Sequence, residues 1–306
     1  MNKQTVKSKK KNVADITVGY QCNCNCLFCS VGDKRKELIK TTEDIELDIL
    51  EAKKLGVDVL GLGGGEPTIR KDIFEIVNFA KKQGFPTIRI QTNGQMFAYD
   101  WFVDKIIEAG ANFFRFSIHG HNAKLHDKQT RVPGSFDRAI KGINNLKKRG
   151  FSVEVDIVIN KVNYKFLPQF IEYLLSLGVF KFGFIYQTYV GNVNKNIDKL
   201  AIRISEVTPY LKEALEIAKN YNVDKNVIIN IPFCLIEKYK KDTVEEAGFN
   251  TVIFNPEKTI DLDLNRFEDK IKTKGCKKCK YNNQCCGVWN DYAAIFGLGE
   301  IKPITN

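Results

Sequence analysis

The sequence predicts an α/β protein built on a parallel sheet, and three observations carry that reading. From residue 13 to about 222, short β-branched or apolar runs alternate with longer segments of helical period. Residues able to do chemistry fall repeatedly just after the apolar runs. A length of 306 residues, 43% of them hydrophobic, is enough to bury a sizeable core. Strands separated by helices of this length are the pattern of βαβ units. Their near-obligatory right-handed crossovers leave the sheet curled in one sense or open.

The strand-like runs are 15–20, 57–62, 87–91, 112–118, 152–159 and 180–186. Amphipathic segments lie near 43–55, 72–83, 100–109, 136–149, 166–177 and 207–221. In parallel sheets ligands collect outside the carboxyl ends of the strands, so the segments that follow each run are the candidate site. A further strand, 227–231, opens a C-terminal part of different character.

Composition narrows the function. No run of about 18 apolar residues is present, so no transmembrane helix is expected. Met1 to Asn12 is polar and lysine-rich, which reads as a disordered basic tail rather than a secretory signal. Nine cysteines in such a chain read as metal ligands in a reducing cytoplasm, not as disulfides. The formal charge of +11 admits nucleic acid, an anionic membrane or an acidic substrate as a partner; of these a membrane is not expected and nucleic acid is disfavoured. The lysines concentrate at Lys7, Lys9, Lys10 and Lys11, and again at Lys270, Lys272, Lys274, Lys277, Lys278 and Lys280.

After the first strand comes Cys22-Asn-Cys-Asn-Cys-Leu-Phe-Cys29. Cys22, Cys26 and Cys29 stand in the order Cys-x3-Cys-x2-Cys, with Phe28 directly before the last. Cubane clusters are held by cysteines in such close runs, and three ligands for four irons leave one iron open. A zinc site is the alternative, since Cys24 completes a set of four thiols. The motif with its aromatic residue resembles the signature of the radical S-adenosylmethionine (radical SAM) enzymes. That resemblance implies a partial (β/α)6 TIM-like barrel over residues 13–222. It also implies a [4Fe-4S] cluster whose open iron chelates S-adenosylmethionine. An electron from the cluster would then cleave the sulfonium to a 5′-deoxyadenosyl radical that abstracts hydrogen from substrate.

The later strand ends fit this resemblance. Gly61-Leu-Gly-Gly-Gly-Glu-Pro67 follows the second strand, and its Gly64, Gly65 and Glu66 resemble the family segment that meets the SAM amino group. Thr92 and Asn93 follow the third strand, Ser117 the fourth and Asn160 the fifth; by resemblance they line the SAM pocket. Tyr186 and Gln187, after the sixth, are expected at the same mouth. His119, His121 and His126 all fall in one expected loop, 117–135, with Asp127 and Arg131. A histidine there could serve proton movement. The run from His126 to Asp137 resembles the branch containing molybdopterin-precursor synthases and peptide-modifying maturases.

Residues 223–306 read as a small cysteine-rich extension. Cys276, Cys279 and Cys285 have the spacing Cys-x2-Cys-x5-Cys, which resembles the core of the SPASM and twitch extensions that hold auxiliary [4Fe-4S] clusters. Fewer cysteines are present than a full SPASM pattern has. With Cys234 as the fourth ligand one auxiliary cluster can be fully ligated, and Cys286 could replace Cys285. The expected protein is therefore a cytoplasmic radical SAM enzyme, with a peptide side chain as substrate and a nucleotide-like small molecule as the alternative. Its electron donor would be of the flavodoxin or ferredoxin kind. The competing class is a zinc-stabilised nucleic-acid-binding protein.

Overall fold

The computed structural model describes residues 11–35, 40–223, 226–248 and 250–305. Six parallel strands and the helices that connect them follow in order: β1 (Val13–Thr17), α1 (Thr42–Lys54), β2 (Val59–Gly63), α2 (Ile73–Lys82), β3 (Thr87–Thr92), α3 (Asp100–Ala109) and β4 (Phe113–Ser117). After β4 come two helices, α4 (Ala123–Thr130) and α5 (Ser135–Lys148), then β5 (Val153–Ile159), α6 (Leu167–Ser176) and β6 (Phe182–Tyr186). The strands β1 to β6 pair in parallel with their sequence neighbours. The sheet curls into a half-barrel, the partial TIM-like barrel that the sequence implied.

Alternation along the strands assigns the two faces. Ala14 and Ile16, Leu60 and Leu62, Ile88 and Ile90, and Phe114 and Phe116 are all buried. They meet helix stripes spaced three and four apart, such as Ile73, Ile76, Val77 and Ala80 on α2 or Ala139, Ile143 and Leu146 on α5. The intervening residues that face the inside of the curl include a set of charged and polar side chains on β1, β3, β4 and β5. Asp15 is in register with Gly61, and Gly61 with Arg89; Asp156 is in register with Gly183. Arg89 pairs with Asp15, and Arg115 pairs with Glu154 at 2.8 Å and Asp156 at 4.0 Å. The two glycines make room for these carboxylates: a Cβ on Gly61 would stand 1.9 Å from Asp15 Oδ1, and one on Gly183 would stand 2.2 Å from Asp156 Oδ1.

The sheet continues past residue 222, the expected end of the barrel. β7 (Val227–Ile229) adds to β6, and β8 (Thr251–Phe254) pairs in parallel with β1 on the opposite side. β9 (Thr259–Asp261) follows β8 as an antiparallel edge, giving the order β7-β6-β5-β4-β3-β2-β1-β8-β9. The cysteine-rich part beyond it carries a two-stranded ribbon, β10 (Lys270–Ile271) and β11 (Val288–Trp289), and a terminal helix, Asn290–Phe296.

Two expectations need correction here. Most of the basic tail lies outside the described residues, but Lys11 is buried and pairs with Asp261 at 2.5 Å and Asp263 at 2.7 Å. The fold therefore begins before residue 13, because two carboxylates at the sheet edge hold that lysine. The expected loop 117–135 contains α4, whose N-terminus is capped by Asn122 accepting from the Leu125 amide.

Gly61→Ala should lower the unfolding free energy by about 1–3 kcal/mol through overpacking against Asp15. Gly56→Ala is the comparison, since its Cβ would meet nothing within 4 Å but its positive φ carries a smaller strain. Chemical denaturation of both variants checks the ranking, with Gly61→Ala the more damaging.

Candidate radical SAM site

The cysteine loop leaves the carboxyl end of β1 with little regular structure, so its backbone is tied down from outside. The Leu27 amide donates to the Gln129 carbonyl at 2.8 Å and the Asn25 amide to the Thr130 carbonyl at 3.2 Å, both at the end of α4. The β2 turn holds the other side, with Gly65 N–H donating to Gly19 O at 2.8 Å and Glu66 N–H to Gln21 O at 2.7 Å. A Cβ on Gly65 would fall 2.1 Å from Gln21 O, and Gly64 has φ +110°. The glycines are thus required for contact between two loops.

Cys22, Cys26 and Cys29 line one cavity of about 270 Å³, together with Phe28, Gly64, Gly65, Glu66, Thr92, Asn93 and Ser117. All of these had been expected in the pocket. Cys24 lines it too, but its sulfur accepts from Gln95 Nε2 at 3.1 Å, and Gln95 is itself gripped by Arg138. Thiol protons are firmly held: the hydrogen bond with Cys24 and then burial push Cys22 well up, and burial raises Cys29. Ligation would have to release them.

Glu66 is 2% exposed and accepts four hydrogen bonds. Oε1 takes Thr68 N–H (3.1 Å), Thr68 Oγ1 (2.6 Å) and Thr92 Oγ1 (2.7 Å), while Oε2 takes the Asn93 amide (2.6 Å). Burial raises its pKa against the opposing pull of these donors. Oε2 keeps a lone pair that a cationic amino group could use.

Several expected residues are not brought to the cavity. Asn160 is wholly buried, donating to Gln129 Oε1 at 2.8 Å and accepting from Val162 N–H, so it braces the chain behind the pocket. Tyr186 bonds Tyr189 Oη and the Ile202 carbonyl, and Gln187 bonds the Leu200 carbonyl; both are buried structural contacts. Asp127 caps α5, accepting from Gly134 and Phe136 amides and Ser135 Oγ. Arg131 bonds Asn196 at the surface.

The histidines divide. His119 lines the cavity with its ring centroid 4.3 Å from that of Phe28. Its Nδ1 accepts from the Val158 amide, and burial, with His126 second, holds it well below the usual histidine range. His119 is thus a neutral ring packed against Phe28 and His126. His126 accepts from the His119 amide and is likewise buried, while His121 is half-buried against Phe166. Sequence reasoning missed Tyr20, Arg35, Gln95 and Asn192. Arg35 lines the cavity and donates to the Cys22 carbonyl, and only its position shortly after the motif could have suggested it.

A second, smaller cavity gathers Cys234, Cys276, Cys279 and Cys285. Backbone amides point at two of these sulfurs: Gly287 N–H reaches Cys285 at 3.4 Å and Ile304 N–H reaches Cys279 at 3.5 Å. Burial pushes the Cys234 thiol up to about 11. Cys286 is buried elsewhere, beside Lys270 and Glu245, and does not line this cavity. Among the described residues no three His, Cys, Asp or Glu side chains close on a single metal ion; the four thiols of this cavity would be the ligands if a cluster were bound. The lysine cluster is less open than expected. Lys270 is buried against Glu245, Lys272 donates to the Asn282 carbonyl and Lys280 pairs with Glu237, whereas Lys274, Lys277 and Lys278 are exposed.

Half-barrel, triple-cysteine loop and glycine turn together define a class of protein, and comparison with known proteins agrees. The family model described as the Radical SAM superfamily matches residues 16–174. The chain belongs to the radical SAM superfamily, and with that the zinc-stabilised nucleic-acid-binding alternative is set aside. It is an enzyme class that uses S-adenosylmethionine and a [4Fe-4S] cluster. A probable GTP 3′,8-cyclase of Saccharolobus solfataricus is 32% identical over 203 residues, which take in 66% of this chain and 63% of that protein. An AdoMet-dependent heme synthase of Methanosarcina barkeri is 32% identical over 168 residues, 54% of this chain and 46% of that one. The match thus spans less than two thirds of these curated relatives. Streptococcus suis SuiB bound to S-adenosylmethionine has the same fold, with a TM-score of 0.71 at 15% identity over 96% of this chain and 76% of SuiB. Among the described residues no helix is long and apolar enough to cross a membrane.

The buried histidine predicts a pH dependence of stability. Burial lowers His126 to about 4, with Asp127 opposing, while the unfolded side chain titrates near ~6.5. Between these values the unfolded state binds the extra proton, so stability is full above the upper value and falls as pH drops through the window. The loss across it is on the order of 3 kcal/mol. Urea titrations at neutral and mildly acidic pH should show this slope, and His126→Gln should reduce it, leaving the part that the equally buried His119 contributes.

Proposed function

We propose that this radical SAM enzyme abstracts hydrogen from a side chain of a peptide or protein, using a catalytic cluster on Cys22, Cys26 and Cys29 and an auxiliary cluster on Cys234, Cys276, Cys279 and Cys285. When bound, the first cluster and S-adenosylmethionine supply one-electron cleavage to a 5′-deoxyadenosyl radical. The chain's own residues hold and shield that chemistry. Gly64 and Gly65 keep the β2 turn against the cysteine loop, and the remaining lone pair on Glu66 Oε2 suits the SAM amino group. Thr92 and Asn93 orient Glu66, Ser117 offers a hydroxyl, and Phe28 with His119 makes a dry wall.

The observation that carries the substrate choice is the four-thiol lining of the second cavity. Four thiolates saturate a cubane, leaving no open iron on which a nucleotide could be ligated, whereas passing an electron requires none. SuiB, a structural neighbour, is also known bound to its precursor peptide SuiA. The second reading, a nucleotide-like substrate, is favoured by the 32% identity to a probable GTP 3′,8-cyclase. Titration with acidic peptides and with purine nucleotides, at low and high salt, separates the two. Tight, salt-insensitive nucleotide binding with no peptide binding would overturn the first reading.

Reconstituted protein should carry about eight irons per chain, falling to about four when Cys276, Cys279 and Cys285 are all replaced, since each cubane holds four. Unchanged iron content in that variant would remove the auxiliary cluster. Cys26→Ala should abolish SAM cleavage while Cys24→Ala keeps it, because Cys24 is already engaged by Gln95. Assay of 5′-deoxyadenosine release reads both.

A further inference from the structure

The segment that follows β6 touches the first cysteine loop and the terminal helix of the cysteine-rich extension, and it lies outside the residues 16–174 matched by the family model. At one end Asn192, 5% exposed, lies against the first cysteine loop. Its Nδ2 donates to the Cys26 carbonyl at 2.8 Å and to Asn25 Oδ1 at 3.0 Å. Its backbone N–H donates to the Cys29 carbonyl at 2.9 Å. A Cβ on Gly32 would fall 2.3 Å from the Asn192 carboxamide, and one on Gly191 would fall 2.4 Å from the Ser30 carbonyl. Gly191 has φ +59°, a conformation that favours glycine, so the approach leaves no room for any other residue. Two of the three motif cysteines thus take their backbone placement from this segment.

At its other end the segment is held by the C-terminal extension. The Tyr189 amide donates to Asp291 Oδ2 at 2.6 Å, and the Tyr189 ring packs 6.3 Å from Tyr292 and 5.9 Å from Phe296. Tyr189 Oη is fixed in turn by Tyr186 at 2.8 Å and the Ile202 carbonyl at 3.1 Å. Asp291 sits in the first turn of the terminal helix, directly after the ribbon strand that follows Cys285 and Cys286. The stretch 189–192 therefore runs from the terminal helix of the extension to the carbonyls of the first cysteine loop.

We propose that Asn192 and Asp291 are positioning residues for the first cluster: acting through Tyr189–Asn192, the extension sets where Cys26 and Cys29 stand. Neither residue lines the first cavity. Groups that hold a metal's ligands tune its affinity and potential even when they lie outside the ligand set, and cluster potentials respond to hydrogen bonding and solvent exposure. Losing the Asn192 carboxamide removes its bonds to the Cys26 carbonyl and to Asn25 Oδ1 and loosens the loop, leaving the backbone bond to Cys29 as the remaining tie. Losing Asp291 releases the far end of the same segment. The proposal rests on Cys22, Cys26 and Cys29 being the ligands.

The test uses the full chain, anaerobically reconstituted, as wild type, N192A, D291A and the double variant. Iron content, the midpoint potential of the SAM-responsive cluster and the SAM dissociation constant are measured, the last two by electron paramagnetic resonance. N192A should bind SAM about tenfold more weakly, the usual scale for a lost supporting contact, with a shifted potential. D291A should weaken SAM binding about threefold and shift the potential the same way, with iron retained. The double variant should be no worse than N192A, because both residues act through one segment. If N192A fails to hold iron, D291A carries the test alone. A D291A protein with wild-type potential and SAM affinity, or fully additive losses, would overturn the proposal. A wild type with no SAM-responsive cluster would overturn the ligand assignment and this proposal with it.

Discussion

The structure depends on how the cysteine loop satisfies its own backbone. A segment outside helix and sheet must find partners for its buried amides and carbonyls, and here they come from three later parts of the chain. The β2 turn supplies the amides of Gly65 and Glu66, α4 supplies the carbonyls of Gln129 and Thr130, and Asn192 supplies donors to Cys26 and Cys29. The loop cannot take its shape until those parts have packed. That dependence explains why glycines crowd the contact, and why an eight-residue helix stands where a loop was expected.

The curl of the sheet supplies the other half of the site. Its outer face is apolar and carries the helices, so its inner face is freed to hold charge. Asp15, Arg89, Arg115, Glu154 and Asp156 form a paired ionic floor beneath the cavity, with Gln91 linking it to the pocket wall at 3.4 Å from Asp156. Ion pairs in such settings do little for net stability but are costly to break. Their value here is to keep the floor rigid under a reactive site.

Much of this was legible in the sequence where local rules decide. Strand and helix periods gave the six units, and the cysteine spacing with Gly64, Gly65 and Glu66 marked the cavity. What was not legible depends on which way a side chain turns. Asn160 directly follows β5 and Ser117 ends β4, yet Asn160 turns inward to Gln129 while Ser117 lines the pocket. The six lysines near the C-terminus looked like one basic surface, but Lys270 is buried against Glu245. Asn192 carries no motif at all; its role comes from a contact with residues 166 and 167 positions away. The strands β8 and β9 belong to the sheet because β1 had a free edge, which composition cannot reveal.

The proposed function divides the labour between an open-iron cluster that takes S-adenosylmethionine and a four-cysteine site closed to ligands. Electron paramagnetic resonance of the reduced, fully loaded protein tests it most directly, by adding S-adenosylmethionine and then a purine nucleotide. The account predicts two cluster signals, of which S-adenosylmethionine changes one and the nucleotide changes neither. A second signal that moves when the nucleotide is added would reveal an open iron in the extension and contradict the account.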